Sequence, residues 1–140
     1  MSSALEALSG SAKPLRAEPF DPGEFAGLVR SGSVRLRDAA NTALALESRF
    51  DLAYNAAHAL CLAALRWHAY RPANRYIVYQ LLPHTLGLGP EVWRVLAKCH
   101  DIRNRSEYEG ELSVDERLVS DLVTACIRVA ESIGTLGKTG

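Results

Sequence analysis

The chain has 140 residues, 48% of them apolar and 23% charged, which is enough to build one domain around its own core. Sixteen basic residues balance sixteen acidic ones. A broad electrostatic grip on nucleic acid, which needs many phosphates neutralised, is thereby excluded, but a local basic pocket is not.

Cys61, Cys99 and Cys126 lie far apart, form no CxxC pair and all fall on apolar helical positions. The expectation is buried free thiols in a reducing compartment. Met1 to Pro14 lacks a basic stretch followed by an apolar run, and the longest apolar run, Ala59 to Leu65, is far too short to cross a bilayer. Together these point to a cytoplasmic protein with no membrane partner.

Residues 1–19, rich in Ser, Ala and Pro, show no sustained period and are expected to be flexible, with at most a turn near Leu5 to Leu8. The domain proper is expected at 20–135, with a tail at 136–140. Asp21 as N-cap and Pro22 at the first helical position start a helix, which Ser31-Gly32 should end. Ser33 can cap a second helix, with Val34, Leu36, Ala39, Ala40, Ala43 and Leu44 inward and Arg35, Arg37 and Asp38 in water. Ser48 should cap the strongest helix. There Phe50, Ala53, Tyr54, Ala57, Cys61, Ala64, Leu65 and His68 repeat at three and four residues, and Leu52, Ala56, Ala59, Leu60, Ala63 and Trp67 add a second stripe. A helix apolar around most of its circumference belongs at the centre of a bundle. It should stop at Tyr70-Arg71-Pro72.

Asn74 to Leu86 reads as a further helix that Pro83 kinks or shortens. After the Gly87-Leu88-Gly89 turn, Pro90 opens a helix over Glu91 to about Tyr108, broken at Glu109-Gly110-Glu111. A capping box, Ser113-Val114-Asp115-Glu116, starts the last helix. Its inner face is Leu118, Val119, Leu122, Val123, Cys126, Ala130 and Ile133, and Gly134 caps its end. No segment alternates long enough for a strand. The predicted fold is all-α, an antiparallel up-and-down bundle of roughly five to six helices.

The densest polar chemistry lies at Cys99 to Gly110. Val92, Val95, Cys99, Ile102 and Ser106 form an apolar-to-small stripe; His100, Asn104 and Tyr108 lie on a neighbouring one, and Arg103 and Glu107 fall between. Arg103 should therefore border the core, where its permanent charge requires a partner. Glu107 is the local candidate; an asparagine, a second subunit or a phosphate are others. Asp101/Arg105 and Arg103/Glu107 also read as ordinary opposite-charge pairs on a solvated helix end, each worth tenths of a kcal/mol. The same order fits a phosphate-handling site, with Arg103 on phosphate, His100 or Tyr108 near a hydroxyl and Asn104 orienting. Spacing alone leaves both open. His58, His68 and His84 read as packing, rim or loop residues; no metal-ligand spacing, P-loop, dinucleotide or nucleophile-elbow pattern occurs. No metal or cofactor is expected.

Two stretches resemble the HEPN-domain family: Ser48 to His58, with Ala53-Tyr54-Asn55-Ala56 in it, is similar to the helix that carries its A-Y-x-A signature, and Arg103-Asn104-Arg105-Ser106-Glu107-Tyr108-Glu109-Gly110 to its R-N-x-x-x-Y helix end. The resemblance covers roughly Phe25 to Ile133. It implies a helical bundle that commonly dimerises with its arginine helices facing across the seam. Many members are metal-independent endoribonucleases of toxin or defence systems, often paired with a minimal nucleotidyltransferase; others are non-catalytic nucleotide- or partner-binding modules. The ribonuclease motif continues with a histidine a few residues after the arginine. Here no histidine follows Arg103, and Tyr108 stands in its place. A phenol, with a pKa of about 10, is a poor proton acceptor at neutral pH where an imidazole is a good one.

Three readings follow. The first is a homodimeric, non-catalytic or degenerate module whose cleft, Arg103, Asn104, Glu107, Tyr108 and His100 with Tyr54, binds a nucleotide, RNA or a partner such as a nucleotidyltransferase in a toxin–antitoxin-like pair. The second is an active metal-independent endoribonuclease using Arg103 with His100 or Tyr108. The third is a purely structural dimer-forming bundle.

Overall fold

The computed structural model describes residues 3–110 and 113–136, the side chains of Ser3 and of Glu107, Tyr108 and Glu109 lying outside that description. The elements are α1 (Ser3–Ala7), β1 (Leu15–Ala17), α2 (Pro22–Ala39), α3 (Leu46–Trp67), β2 (Tyr70–Pro72), α4 (Ile77–Gln80), α5 (Leu82–Thr85), α6 (Pro90–Glu109) and α7 (Glu116–Ile133). The predominantly helical architecture agrees with the sequence expectation; the small antiparallel β1–β2 pair was not foreseen.

The central position of α3 is as predicted. It packs chiefly on α2 and α7 and also meets β2, α4, α5 and α6. Phe50, Ala53, Tyr54, Ala57, Leu60, Cys61, Ala63, Ala64 and Leu65 are all buried on it. From α6 come Val92, Leu96 and Cys99, and from α7 Val119, Leu122, Cys126, Val129 and Ile133. All three cysteines are free and buried, as expected, and the Cys126 thiol donates to Ala53 O at 3.3 Å.

Several boundaries differ from the reading above. Ser31-Gly32 does not end a helix: α2 runs through it to Ala39, and Ser33 caps nothing. A Cβ at Gly32 would lie 2.6 Å from Leu60 Cγ and 3.3 Å from Ala56 O. Glycine is there because the backbones of α2 and α3 come too close for a side chain, an approach that offsets its helix cost of about 1 kcal/mol. The continuous helix also turns its C-terminal half differently. Val34 and Leu44 are exposed, as are Ala40 and Ala43; only Ala39 of the predicted inward set is fully buried.

The N-cap of α3 is Ala45 rather than Ser48. Its end comes at Trp67, ahead of the expected stop, with Ala69 at φ +67 turning the chain into β2. The single helix expected over Asn74 to Leu86 is two short ones, the Asn74 side chain accepting from Ile77 N at 3.1 Å ahead of the first. The α7 cap is Asp115, which accepts from Leu118 N at 2.8 Å, in place of Ser113. Gly110, at φ +71, closes α6 as a left-handed cap. Of the tail expected at 136–140, only Leu136 lies within the described residues.

The largest departure is at the start. In place of a flexible segment, residues 3–19 carry α1 and β1, and Leu5 and Leu15 are wholly buried. β1 pairs with β2 in the register Leu15↔Pro72, Arg16↔Arg71 and Ala17↔Tyr70, and Ala73 N to Pro14 O and Glu18 N to Ala69 O extend the ladder. Beside it Arg66, 1% exposed, donates through Nε to Glu24 at 2.7 Å and through Nη1 to Glu18 O at 2.9 Å and Tyr70 O at 3.3 Å. Arg71 donates to Glu18 at 2.7 Å and to Glu24 at 2.6 Å. These hydrogen bonds from Arg71, with Arg66 adding to them, hold both carboxyls below the ordinary carboxylate range. The apolar residues of the segment follow no sustained period, and its order comes from partners remote in sequence.

Replacing Gly32 with valine forces a branched side chain into Leu60. Chemical denaturation is expected to show a loss of about 1–3 kcal/mol with helix content retained.

Candidate functional site

The polar cluster predicted on α6 meets the polar edge of α3. Asp51, Tyr54 and His58 follow one another on α3 at spacings of three and four, so they share a face beside the apolar stripe. His100, Arg103 and Asn104 come from α6, and Arg75 and Tyr76 from the segment between β2 and α4.

At the centre is His100, only 7% exposed. Its Nδ1 lies 2.8 Å from the Tyr54 hydroxyl and its Nε2 lies 3.1 Å from Asn104 Nδ2. If Asn104 donates, Nε2 accepts and the Nδ1 proton goes to the tyrosine oxygen. With the amide turned, the roles reverse. In either tautomer both ring nitrogens are engaged within the chain. The rings of Tyr76, Tyr79 and Tyr54 surround the imidazole, with centroids 5.2, 5.8 and 6.1 Å away. The Tyr79 hydroxyl is buried; burial, with Tyr54 next in effect, pushes its pKa upward.

Arg103 borders the core as expected. Its Nη1 donates to Asp51 Oδ1 across the α3–α6 contact, and its backbone carbonyl accepts from the Ser106 hydroxyl at 2.7 Å. The local partner suggested by sequence, Glu107, lies outside the described side chains, as does Tyr108. The Arg103 side chain keeps 32% of its surface and Asp51 half of its own, so the pair is fixed but open to solvent. Arg103 Cζ and Arg75 Cζ each stand 5.8 Å from the centroid of the Tyr54 ring, a cation–π distance.

The positive charge is felt nearby. Burial first, then Arg75 and His100, push the His58 imidazole down to about 4. The cysteines take no part: burial raises the Cys99 thiol to about 12 and the other two in the same direction. His68 packs at the far end of α3, with Nε2 2.9 Å from Thr85 O.

Tyr54, His100, Arg103 and Asn104 are thus brought together. Asp51, His58, Arg75, Tyr76 and Tyr79 escaped the sequence reading as members of the cluster. Asp51 could have been found from its position one turn before Tyr54; nothing in the local sequence marks Arg75. A fixed, half-open guanidinium beside an exposed amide suits the recognition of an oxyanion. An imidazole with both nitrogens occupied is poorly placed to take a proton from a substrate. No family model, no curated protein and no solved structure matches this chain.

Tyr54→Phe keeps the ring and removes the hydroxyl, leaving His100 Nδ1 without that partner. A loss of about 1–2 kcal/mol is expected by denaturation, and the same change made with His100→Ala already in place should cost less.

His58 supplies a pH dependence. Its folded pKa of about 4 lies below its ordinary value of 6.5, so its contribution is complete above pH 6.5 and is lost as pH falls towards 4. Urea titrations across that window should show the wild type losing about 2–3 kcal/mol more than His58→Gln does.

Proposed function

We propose that this protein is a non-catalytic, HEPN-like, up-and-down helical bundle that works as a homodimer and uses the Arg103–Asn104–Tyr54 cleft to bind the phosphate of a nucleotide or RNA. In this reading its physiological setting is a toxin–antitoxin-like pair with a nucleotidyltransferase, and the binding module is the partner that recognises nucleic acid or nucleotide rather than the one that cuts it.

One observation carries the choice of binding over cleavage. His100, the described imidazole beside Arg103 and Asn104, is nearly buried and spends both ring nitrogens on Tyr54 and Asn104. Cleaving RNA through its own 2′-hydroxyl requires an accessible proton acceptor. Arg103, in contrast, has the exposure and fixed geometry that phosphate recognition asks for.

The convergence of His100, Asn104 and Arg103 in one cluster also favours an active metal-independent ribonuclease, and one assay separates the two. Wild type and Arg103→Ala are incubated with mixed RNA in EDTA, and filter binding is measured alongside. The expected result is no cleavage by either, with retention of 5′-phosphorylated RNA by the wild type and about tenfold weaker retention by Arg103→Ala. Cleavage by the wild type alone, leaving 2′,3′-cyclic ends, would overturn the non-catalytic reading.

A further inference from the structure

Arg75 belongs to no motif in the sequence, yet it sits on the same ring as Arg103. It is exposed in the segment between β2 and α4, and it makes no ion pair among the described residues. Its Cζ and that of Arg103 are equidistant from the Tyr54 centroid at 5.8 Å, so the two guanidiniums are at most twice that distance apart. Asp51, the described carboxylate beside Tyr54, is engaged by Arg103. Arg75 is held by the π face while its donors remain available, an arrangement that suits an incoming anion.

We infer that Arg75 is the second cationic arm of the Arg103 site, and that the two arms together take a terminal phosphomonoester, that of a free nucleotide or of an RNA 5′ end. This rests on the phosphate-binding reading given above and adds to it both a residue and a ligand class. The donor count favours the monoester over a backbone diester. A diester has only two free oxygens to share between two forked donors. A monoester offers three acceptor oxygens and a charge of about −1.5 to −2 at neutral pH. His58 is held neutral first by burial, then by Arg75 from the segment before α4 and His100 from α6. A bound dianion opposes the Arg75 part of that push, so the His58 pKa rises as the ligand enters.

The test is calorimetry of AMP, adenosine and a tetranucleotide with either a 5′-phosphate or a 5′-hydroxyl, on the full chain as wild type, Arg75→Ala, Arg75→Lys and Arg103→Ala. NMR titration follows the His58 ring with and without AMP. AMP should bind and adenosine should not; Arg75→Ala and Arg103→Ala should each weaken AMP about tenfold or more, and Arg75→Lys should recover part of the loss. The His58 pKa should rise on AMP loading from its value of about 4. The tighter of AMP and the 5′-phosphorylated tetranucleotide identifies the source of the phosphate. Wild-type affinity in Arg75→Ala with loss in Arg103→Ala would overturn the second arm and leave the Arg103 site standing. Equal affinity for the 5′-hydroxyl and 5′-phosphate tetranucleotides would overturn the monoester. Failure of the wild type to bind either AMP or phosphorylated RNA would overturn this inference and the phosphate reading together.

Discussion

A guanidinium cannot give up its charge, so Arg66, buried near the C-terminal end of α3, must find its acceptors inside the protein. It finds them in the carboxylate of Glu24, the carbonyls of Glu18 and Pro19, and the carbonyl of Tyr70. Those acceptors lie on three separate stretches of chain, and satisfying Arg66 fixes all three at once. The segment before α2 is drawn against the end of α3, β2 is set beside it, and β1 gains an edge to pair with. Arg71 completes the network from β2 by joining the same two glutamates. Phe20, Phe25 and Trp67, neighbours in sequence of its members, pack on one another with ring centroids 5.2 to 5.7 Å apart.

That constraint reaches the candidate site through the chain itself. β2 leads within a few residues to Arg75 and Tyr76, so the anchor that orients the strand also delivers one cation to Tyr54 and one ring to His100. The other side of the site is set by α3. The same helix buries Phe50, Ala53 and Ala57 in the core and presents Asp51 and His58 at its edge. Tyr54 lies between these roles, with its ring packed and its hydroxyl holding His100. The site is therefore as rigid as the central helix on one side, and as adaptable as an exposed arginine on the other.

Within that frame the cluster divides its labour. Tyr54, His100 and Asn104 form a hydrogen-bond chain, buried at the first two and reaching solvent at Asn104. Arg103 and Arg75 stand outside it with surface to offer. Such networks in a low-dielectric setting stiffen what they connect, and here they connect α3 to α6. The open charges are then held at fixed positions by the stiff part, which is the condition for recognising a small anion without a large ordering cost.

Local rules carried much of the helical architecture. The apolar period of α3, the Asp21-Pro22 start, the Pro90 start and the Gly110 stop depend on side chains within one or two turns, and each was legible. So was the placement of His100, Arg103 and Asn104 on one side of α6, since helical spacing alone puts them there. What the sequence could not reveal depends on contacts between remote residues. Gly32 reads locally as a stop and becomes a place where two helices touch. Residues 3–19 show no sustained period and so read as flexible, and are ordered by Arg66, Leu5 and Leu15 finding partners elsewhere. Asp51 and Arg75 join the site across a helix contact and a strand turn. The sequence by itself determined which segments are helical and which faces are apolar, because those follow from short-range periodicity and backbone preference. Only the tertiary structure decided which charges meet, because an ion pair or a cation on a ring depends on distance in space, and no local pattern encodes that distance.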